Sequence, residues 1–311
     1  MEYIRGLKKD IILSRYTTYK IGGVADYFFI AKNQTDLQTV LEFARREFLP
    51  IFILAGGSNV LFSDEGFRGL VVKIDNQEIK ILDDYITVGA GVLMQDIVNK
   101  SISSGLSGLE WAGGLPGTLG GAIRGNAGCF GGEIKDIIEN VQTLNSNGEL
   151  KYYSNKDCCF LYRDSVFKKN GEVILSAILK LNPGDSEKLK AEVFDHIKYR
   201  QERHPLEYPN CGSVFKNCSL DIVSKSVQER FKEKIKTDPF PILPTAVLIS
   251  ACGFKGLSIG GAKISEKHPN FIVNFNNAKA GDIIELIGVV KDKVKQELGV
   301  ILSEEIEFAG F

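Results

Sequence analysis

Apolar residues recur along this chain in two rhythms. Leu37, Val40, Leu41 and Ala44 share one helical face, which predicts a helix that opens at Thr35 or Asp36 and stops before Phe48 and Pro50. Leu93, Ile97 and Val98 predict a second helix over 93–104, with Gly105 as its stop. A third over 187–202 carries Leu189, Val193, Phe194 and Ile197 on one side, and a fourth over 282–298 aligns Ile283, Ile287, Val290 and Val294. Short apolar runs predict strands at 26–31, 51–54, 70–74, 79–82, 85–88, near 138–144 and over 172–181, with Asn147-Gly148 as a hairpin turn. The helix after 35 and the strand at 51–54 make a small βαβ-like unit. In the alternating run 301–308, Leu302, Ile306 and Phe308 share one face, and Ser303, Glu305 and Glu307 share the other, whose default is solvent. Pro183-Gly184-Asp185 reads as a domain boundary.

The 311 residues exceed one typical domain, so two or three compact units are expected. Lys and Arg number 38 against 39 Asp and Glu, and no block of like charge reads as a nucleic-acid or membrane arm. The N-terminal stretch lacks the apolar core of a signal peptide, and no stretch approaches the ~18 apolar residues of a membrane span. A cytoplasmic protein without nucleic-acid or membrane partners is therefore expected. The six cysteines contain no CxxC pair and read as reduced, mostly buried thiols. His196, His204 and His268 show no metal-ligand spacing, so no metal site is expected.

The densest chemical signal is 109–133, LEWAGGLPGTLGGAIRGNAGCFGGE. Nine of the twenty residues at 113–132 are glycine. Glycine loses more backbone freedom on folding than any other residue, so such a run persists where side chains would obstruct a turn or a ligand. A linker would be Ser-rich and polar, whereas Trp111, Leu115, Leu119, Ile123 and Phe130 interleave here. A packing-only loop remains as the bland alternative to a ligand cradle. The stretch has no Lys-Ser/Thr pair of a phosphate-binding loop, and Gly89-Ala90-Gly91 lacks the third glycine of a dinucleotide fingerprint. A second turn, Ala55-Gly56-Gly57-Ser58-Asn59, follows the run at 51–54, and two such loops can clamp one extended diphosphate.

Three further clusters could carry chemistry. FLYRDSVF (160–167) sets Arg163 and Asp164 among apolar residues, where the arginine either pairs with the aspartate or faces an anion. HPLEYPNCGSVFKN (204–217) places Ser213 after a glycine at a strand start, which suits a turn residue as well as a catalytic one. Glu305 is the third.

Together these segments resemble the UDP-N-acetylmuramate dehydrogenase family, also called UDP-N-acetylenolpyruvoylglucosamine reductase. The likeness is carried by TTYKIGGVADYF, ILAGGSNVLFSDEGFRGLVVKI, GLEWAGGLPGTLGGAIRGNAGCFGGEI, YRDSVF, NCGSVFKN, GLSIGGAKISEKHPNFIVN and EEIEFAG, in order and nearly end to end. The resemblance implies an α+β fold: a two-part, vanillyl-alcohol-oxidase/PCMH-like FAD-binding module (1–75 and 76–185), then an α+β substrate-binding domain (186–311) whose last strand could pack back on the FAD module. It implies non-covalent FAD held by Gly56, Gly57, Ser58, Asn59, Gly114, Pro116, Gly117, Thr118, Gly120, Gly121, Asn126, Ala127 and Gly128. NADPH would be the hydride donor, UDP-N-acetylglucosamine-enolpyruvate the substrate, and the enzyme a monomer. With no separate dinucleotide fold visible, nicotinamide and sugar nucleotide would take turns at one flavin.

By the same likeness Arg163, Ser213 and Glu305 fall on the catalytic positions. Hydride addition to the enolpyruvyl methylene leaves negative charge at C2 and its carboxylate, which Arg163 would stabilise. Ser213 would protonate C2, and Glu305 would assist if burial raises its pKa enough to keep a proton. Arg203, Lys216 and Asn217 would contact the diphosphate and uridine. The short spacing from Arg203 to Ser213 resembles the family branch that lacks a long tyrosine-bearing loop. Cys218 stands where the family often has proline. A hydroxy-acid oxidase on the same module would share the glycine turns but lack the Ser213 and Glu305 motifs. A non-enzymatic nucleotide-binding protein would need no proton donor.

Overall fold

A computed structural model of the chain describes residues 4–237 and 240–311. Packing divides it into two units, each assembled from separated segments: residues through 11, 25–56 and 68–200 form the first, and 12–24, 57–67 and 201–311 the second.

The first unit holds two sheets. In one, the strand order is Lys8–Ile12, Val24–Ala31, Phe67–Ile74, Ile51–Leu54, the last two running parallel. The Gln34–Arg46 helix buries Leu37, Val40, Leu41 and Ala44 as the spacing predicts, together with Phe43. Its cap is Asn33, two residues before Thr35 and three before Asp36, the expected caps: the extended Asn33 accepts the Asp36 amide at 2.9 Å. Asp36 thereby falls in the first turn, where a carboxylate suits the helix dipole.

The other sheet is antiparallel, in the order Leu150–Ser154, Ile138–Leu144, Val173–Lys180, Tyr85–Gly89, Ile79–Leu82. Asn147-Gly148 turns Ile138–Leu144 into Leu150–Ser154, an edge strand absent from the hydrophobic pattern because Lys151, Tyr152 and Ser154 are exposed. The Met94–Ser103 helix follows, and Gly105 stops it in the left-handed region.

The Pro183-Gly184-Asp185 turn lies inside this unit, not at a boundary. Asn182–Pro183 pairs with Leu106–Ser107, and the Gly184 amide donates to the Gly105 carbonyl at 2.8 Å. The Ser186–Arg203 helix therefore begins in the first unit, with Leu189 and Val193 buried and Ile197 packed against the same core, and the partition falls after residue 200. Phe194, expected on that stripe, is 64% exposed: it adjoins Val193 in sequence and so points about 100° away around the helix.

In the second unit the Ala280–Leu298 helix buries the expected stripe of Ile283, Ile287, Val290 and Val294, and adds Leu286. Its N-terminal amides at Ala280 and Gly281 donate to the Asp64 carboxylate. Ser258–Ile259, Ala262–Ile264 and Ile272–Asn274 form an antiparallel sheet. The strand expected at 301–308 is shorter, Glu307–Ala309, and runs parallel to Val60–Phe62. Leu302 and Ile306 are buried, but Phe308 is 38% exposed, because the alternation stops where the chain leaves one partner for the next.

Gly299 ends the Ala280–Leu298 helix at φ +67°, with open space around a would-be Cβ. Gly299→Ala should therefore cost only the left-handed strain, about 1 kcal/mol. Leu286→Ala, which empties a fully buried site, should cost about 3 kcal/mol in urea unfolding of the whole chain.

Candidate active site

In the first unit the two glycine turns touch through their backbones. A Cβ on Gly56 would lie 2.7 Å from the Gly117 Cα, and one on Gly121 would lie 3.3 Å from the Ala55 Cβ. Gly117 itself is at φ +105°, beyond the reach of an ordinary side chain. Gly114 donates its amide to the Gln95 side chain, and Leu115-Pro116 separates it from Gly117. Thr118 precedes the Leu119–Arg124 helix; its hydroxyl is buried and has no hydrogen-bond partner. The Gly120 amide is taken by the Ala90 carbonyl, and a Cβ there would meet Ala90 at 2.9 Å.

The far end of the loop is held differently. Asn126 is fully buried at φ +40°; its amide nitrogen donates to the Leu161 carbonyl at 3.0 Å and its oxygen accepts the Lys135 amide. Its side chain therefore braces the loop, as does the Ala127 amide, which donates to the Ala122 carbonyl. The Gly128 carbonyl accepts Arg163 Nη2 at 2.8 Å. Arg163 sits at φ +55° in a tight turn closed by Leu161 and Asp164, with its guanidinium over the Tyr162 ring. Asp164 takes Lys169 as its cation at 2.8 Å.

Sequence reasoning missed Arg200. It is 8% exposed, donates from Nε to the Gly113 carbonyl and from Nη2 to Cys129 Sγ, both at 2.9 Å, and lies over the Phe130 ring. Phe130 in turn stacks on His196 at 4.1 Å. Arg200 continues the 189, 193, 197 stripe by one more turn, and a cation on an apolar stripe was the available signal. Burial raises the Cys129 pKa against the opposing pull of Arg200, so this cysteine is a thiol that packs and accepts.

The second unit sets the segment that follows Ser213 against the segment that holds Glu305 through one isolated antiparallel bridge, Phe215 to Glu304. The Glu305 amide donates to the Val214 carbonyl at 2.8 Å, and the Lys216 amide to the Ser303 carbonyl at 2.9 Å. Asn59 ties the same segment down: its side chain donates to the Glu305 carbonyl at 3.0 Å, and its carbonyl accepts the Glu307 amide. Gly57, at φ +65°, accepts the Thr18 amide beside the half-buried Ser58. Asn217 caps the Thr245–Ala251 helix through Oδ1, Lys216 is half-buried, and Arg203 is exposed. Cys211, two residues before Ser213, is buried beside the Tyr19 hydroxyl, and burial pushes its thiol up. Among the described residues no three His, Cys, Asp or Glu side chains form a metal-binding group.

Two outcomes follow from orphaned polar atoms. Thr118→Val removes a buried, unpartnered hydroxyl at constant shape; it should stabilise the flavin-free chain by about 1 kcal/mol, read as a rise in Tm, and weaken added FAD about tenfold in a fluorescence titration. His268 has a buried Nδ1 without a partner, and burial lowers its pKa to about 4. Between about pH 6.5 and 4 the unfolded chain binds the proton more readily, so stability should fall with pH through that window. His268→Gln should flatten this slope in urea midpoints measured against pH.

Residues 25–153 match the FAD binding domain family, and 204–309 match the family described as UDP-N-acetylenolpyruvoylglucosamine reductase, C-terminal domain. The chain is 36% identical over 309 residues to a UDP-N-acetylenolpyruvoylglucosamine reductase of Lactobacillus helveticus, covering 98% of this chain and 95% of that one. It is 38% identical over 304 residues to the protein of that name from Carboxydothermus hydrogenoformans, with 96% and 92% covered. The crystal structure of UDP-N-acetylenolpyruvylglucosamine reductase from Thermus caldophilus superposes with a TM-score of 0.77 at 29% identity, over 98% of this chain and all of that one. With near-complete coverage on both sides, the chain belongs to the UDP-N-acetylenolpyruvoylglucosamine reductase family.

Proposed function

We propose that this chain is an FAD-dependent oxidoreductase that reduces the enolpyruvyl ether of UDP-N-acetylglucosamine-enolpyruvate to UDP-N-acetylmuramate with NADPH, in the cytoplasm, as a step of peptidoglycan precursor synthesis. The observation that carries the reading is the pairing of the Ser213 segment with the Glu305 segment, inside a chain whose family is defined by that reduction. It sets the segment that follows Ser213 against the one that bears Glu305, the two residues to which the family likeness assigns a single proton transfer.

The first unit fits FAD on two counts. A backbone contact at Gly56 and Gly117 leaves no Cβ in the way, and the Thr118 hydroxyl is buried without a protein partner. Gly56, Gly114, Pro116, Gly117, Thr118, Gly120, Gly121 and Gly128 would hold the group, while Asn126 and Ala127 support them from behind. FAD, when bound, supplies the two-electron chemistry that takes hydride from NADPH and yields it to the substrate's methylene carbon.

The chain's own residues handle charge and the proton. Arg163 is cationic at every accessible pH, and its bond to the Gly128 carbonyl fixes one arm of the fork; the guanidinium opposes the negative charge that develops at C2 and its carboxylate. Ser213 gives its hydroxyl proton to C2, which sets the lactyl stereocentre, and Glu305 assists at the same centre. Lys216, Asn217 and Arg203 hold the diphosphate and uridine.

Ser213→Ala should leave anaerobic bleaching of the flavin by NADPH within about twofold, and slow its recolouring by the enolpyruvyl sugar nucleotide about 10³-fold. Equal losses in both halves would remove Ser213 from the proton transfer.

A further inference from the structure

The segment that follows Ser213 is completed by a side chain. Asn270 lies at the tip of the hairpin formed by Ala262–Ile264 and Ile272–Asn274 and is 3% exposed. Its carboxamide oxygen accepts the Phe215 amide at 3.0 Å, its nitrogen donates to the Phe215 carbonyl at 2.8 Å, and its own carbonyl accepts the Val214 amide at 2.8 Å. Val214 and Phe215 are both buried, so no water stands ready to replace these bonds. Val214 and Lys216 meanwhile bond to Glu305 and Ser303. The segment from Val214 to Lys216, directly after Ser213, is thus gripped from two directions, by the segment that bears Glu305 and by one asparagine.

A primary amide is suited to this because it presents a donor and an acceptor on one carbon, the pair that a neighbouring strand offers. Aspartate would accept from Phe215 but set an oxygen against its carbonyl; alanine would leave both groups of Phe215 buried and unpaired, a state that proteins avoid. The segment would then shift to recover partners, and Glu305 would move with it, since its amide is bonded to Val214.

We infer that Asn270 is a positioning residue for the proton-transfer half of the reaction: it holds the Ser213 backbone in register with Glu305 and touches neither substrate nor flavin. The inference rests on the function proposed above and adds to it a residue outside the Ser213 and Glu305 motifs.

The test uses whole, flavin-loaded Asn270→Ala, with rates expressed per bound flavin. Bleaching by NADPH is expected to stay within about twofold, while recolouring by the enolpyruvyl sugar nucleotide slows about 10²-fold, as for a catalytic group misplaced by roughly 1 Å. The solvent deuterium isotope effect on recolouring should rise as proton transfer becomes limiting. A residue that matters only for folding would lower the yield of flavin-loaded protein and leave both rates per flavin and the isotope effect alone; that result overturns the inference, as do equal losses in both halves. If the alanine variant does not fold, Asn270→Gln, which keeps both groups but displaces them by a methylene, is expected to slow recolouring at least threefold, and wild-type recolouring there overturns the inference. A wild-type chain whose flavin NADPH cannot bleach would instead sink the proposed function.

Discussion

The approach of the Gly56 backbone to the Gly117 backbone constrains everything around it. Each belongs to a turn that follows an apolar run, and each turn must be free of side chains at the same point in space. One extra carbon on Gly56 would meet the Gly117 backbone and push the loops apart by more than the soft end of a side chain could absorb. The rest of the stretch is organised to keep that contact: Gln95 and Ala90 take the amides of Gly114 and Gly120, while Arg200 grips the Gly113 carbonyl from the Ser186–Arg203 helix. A cradle this tightly braced is stiff before anything binds, so little ordering entropy remains to be lost on binding.

The second unit reaches stiffness by another route. Its short strands rely on side chains as surrogate strand partners: Asn270 for Phe215, Asn59 for the Glu305 segment, Asp64 for the first amides of the Ala280–Leu298 helix. Small amides and carboxylates do locally what long ladders do elsewhere, which leaves the intervening polar positions open to chemistry.

The sequence made the regular parts legible and left the exceptions dark for physical reasons. Helical stripes at 37–44 and 283–294 were recovered because their apolar faces are fully buried, and so were strands whose runs are apolar throughout. Leu150–Ser154 was missed because a half-exposed edge has no need of an apolar pattern. The run at 301–308 looked like one strand, since alternation reports burial on one side and says nothing about which partner accepts the bonds. Motif likeness singled out Ser213 and Glu305 but gave no part to Arg200 or, within its own motif, to Asn270, because what these two hold depends on the three-dimensional neighbours of a guanidinium and an amide. Asp164, named by sequence as a partner for Arg163, lies 2.8 Å from Lys169, a contact that no apolar pattern announces.

The way the two units share the chain bears on how the protein is made. The backbone passes between them at 11/12, 24/25, 56/57, 67/68 and 200/201. Residues 12–24 and 57–67 therefore leave the ribosome long before the segment that completes their unit, and Val60–Phe62 stays an unpaired strand edge until Glu307–Ala309 emerges. The second unit therefore closes only once its last strand is available, and it forms by contacts between segments far apart in the chain rather than piece by piece from one end.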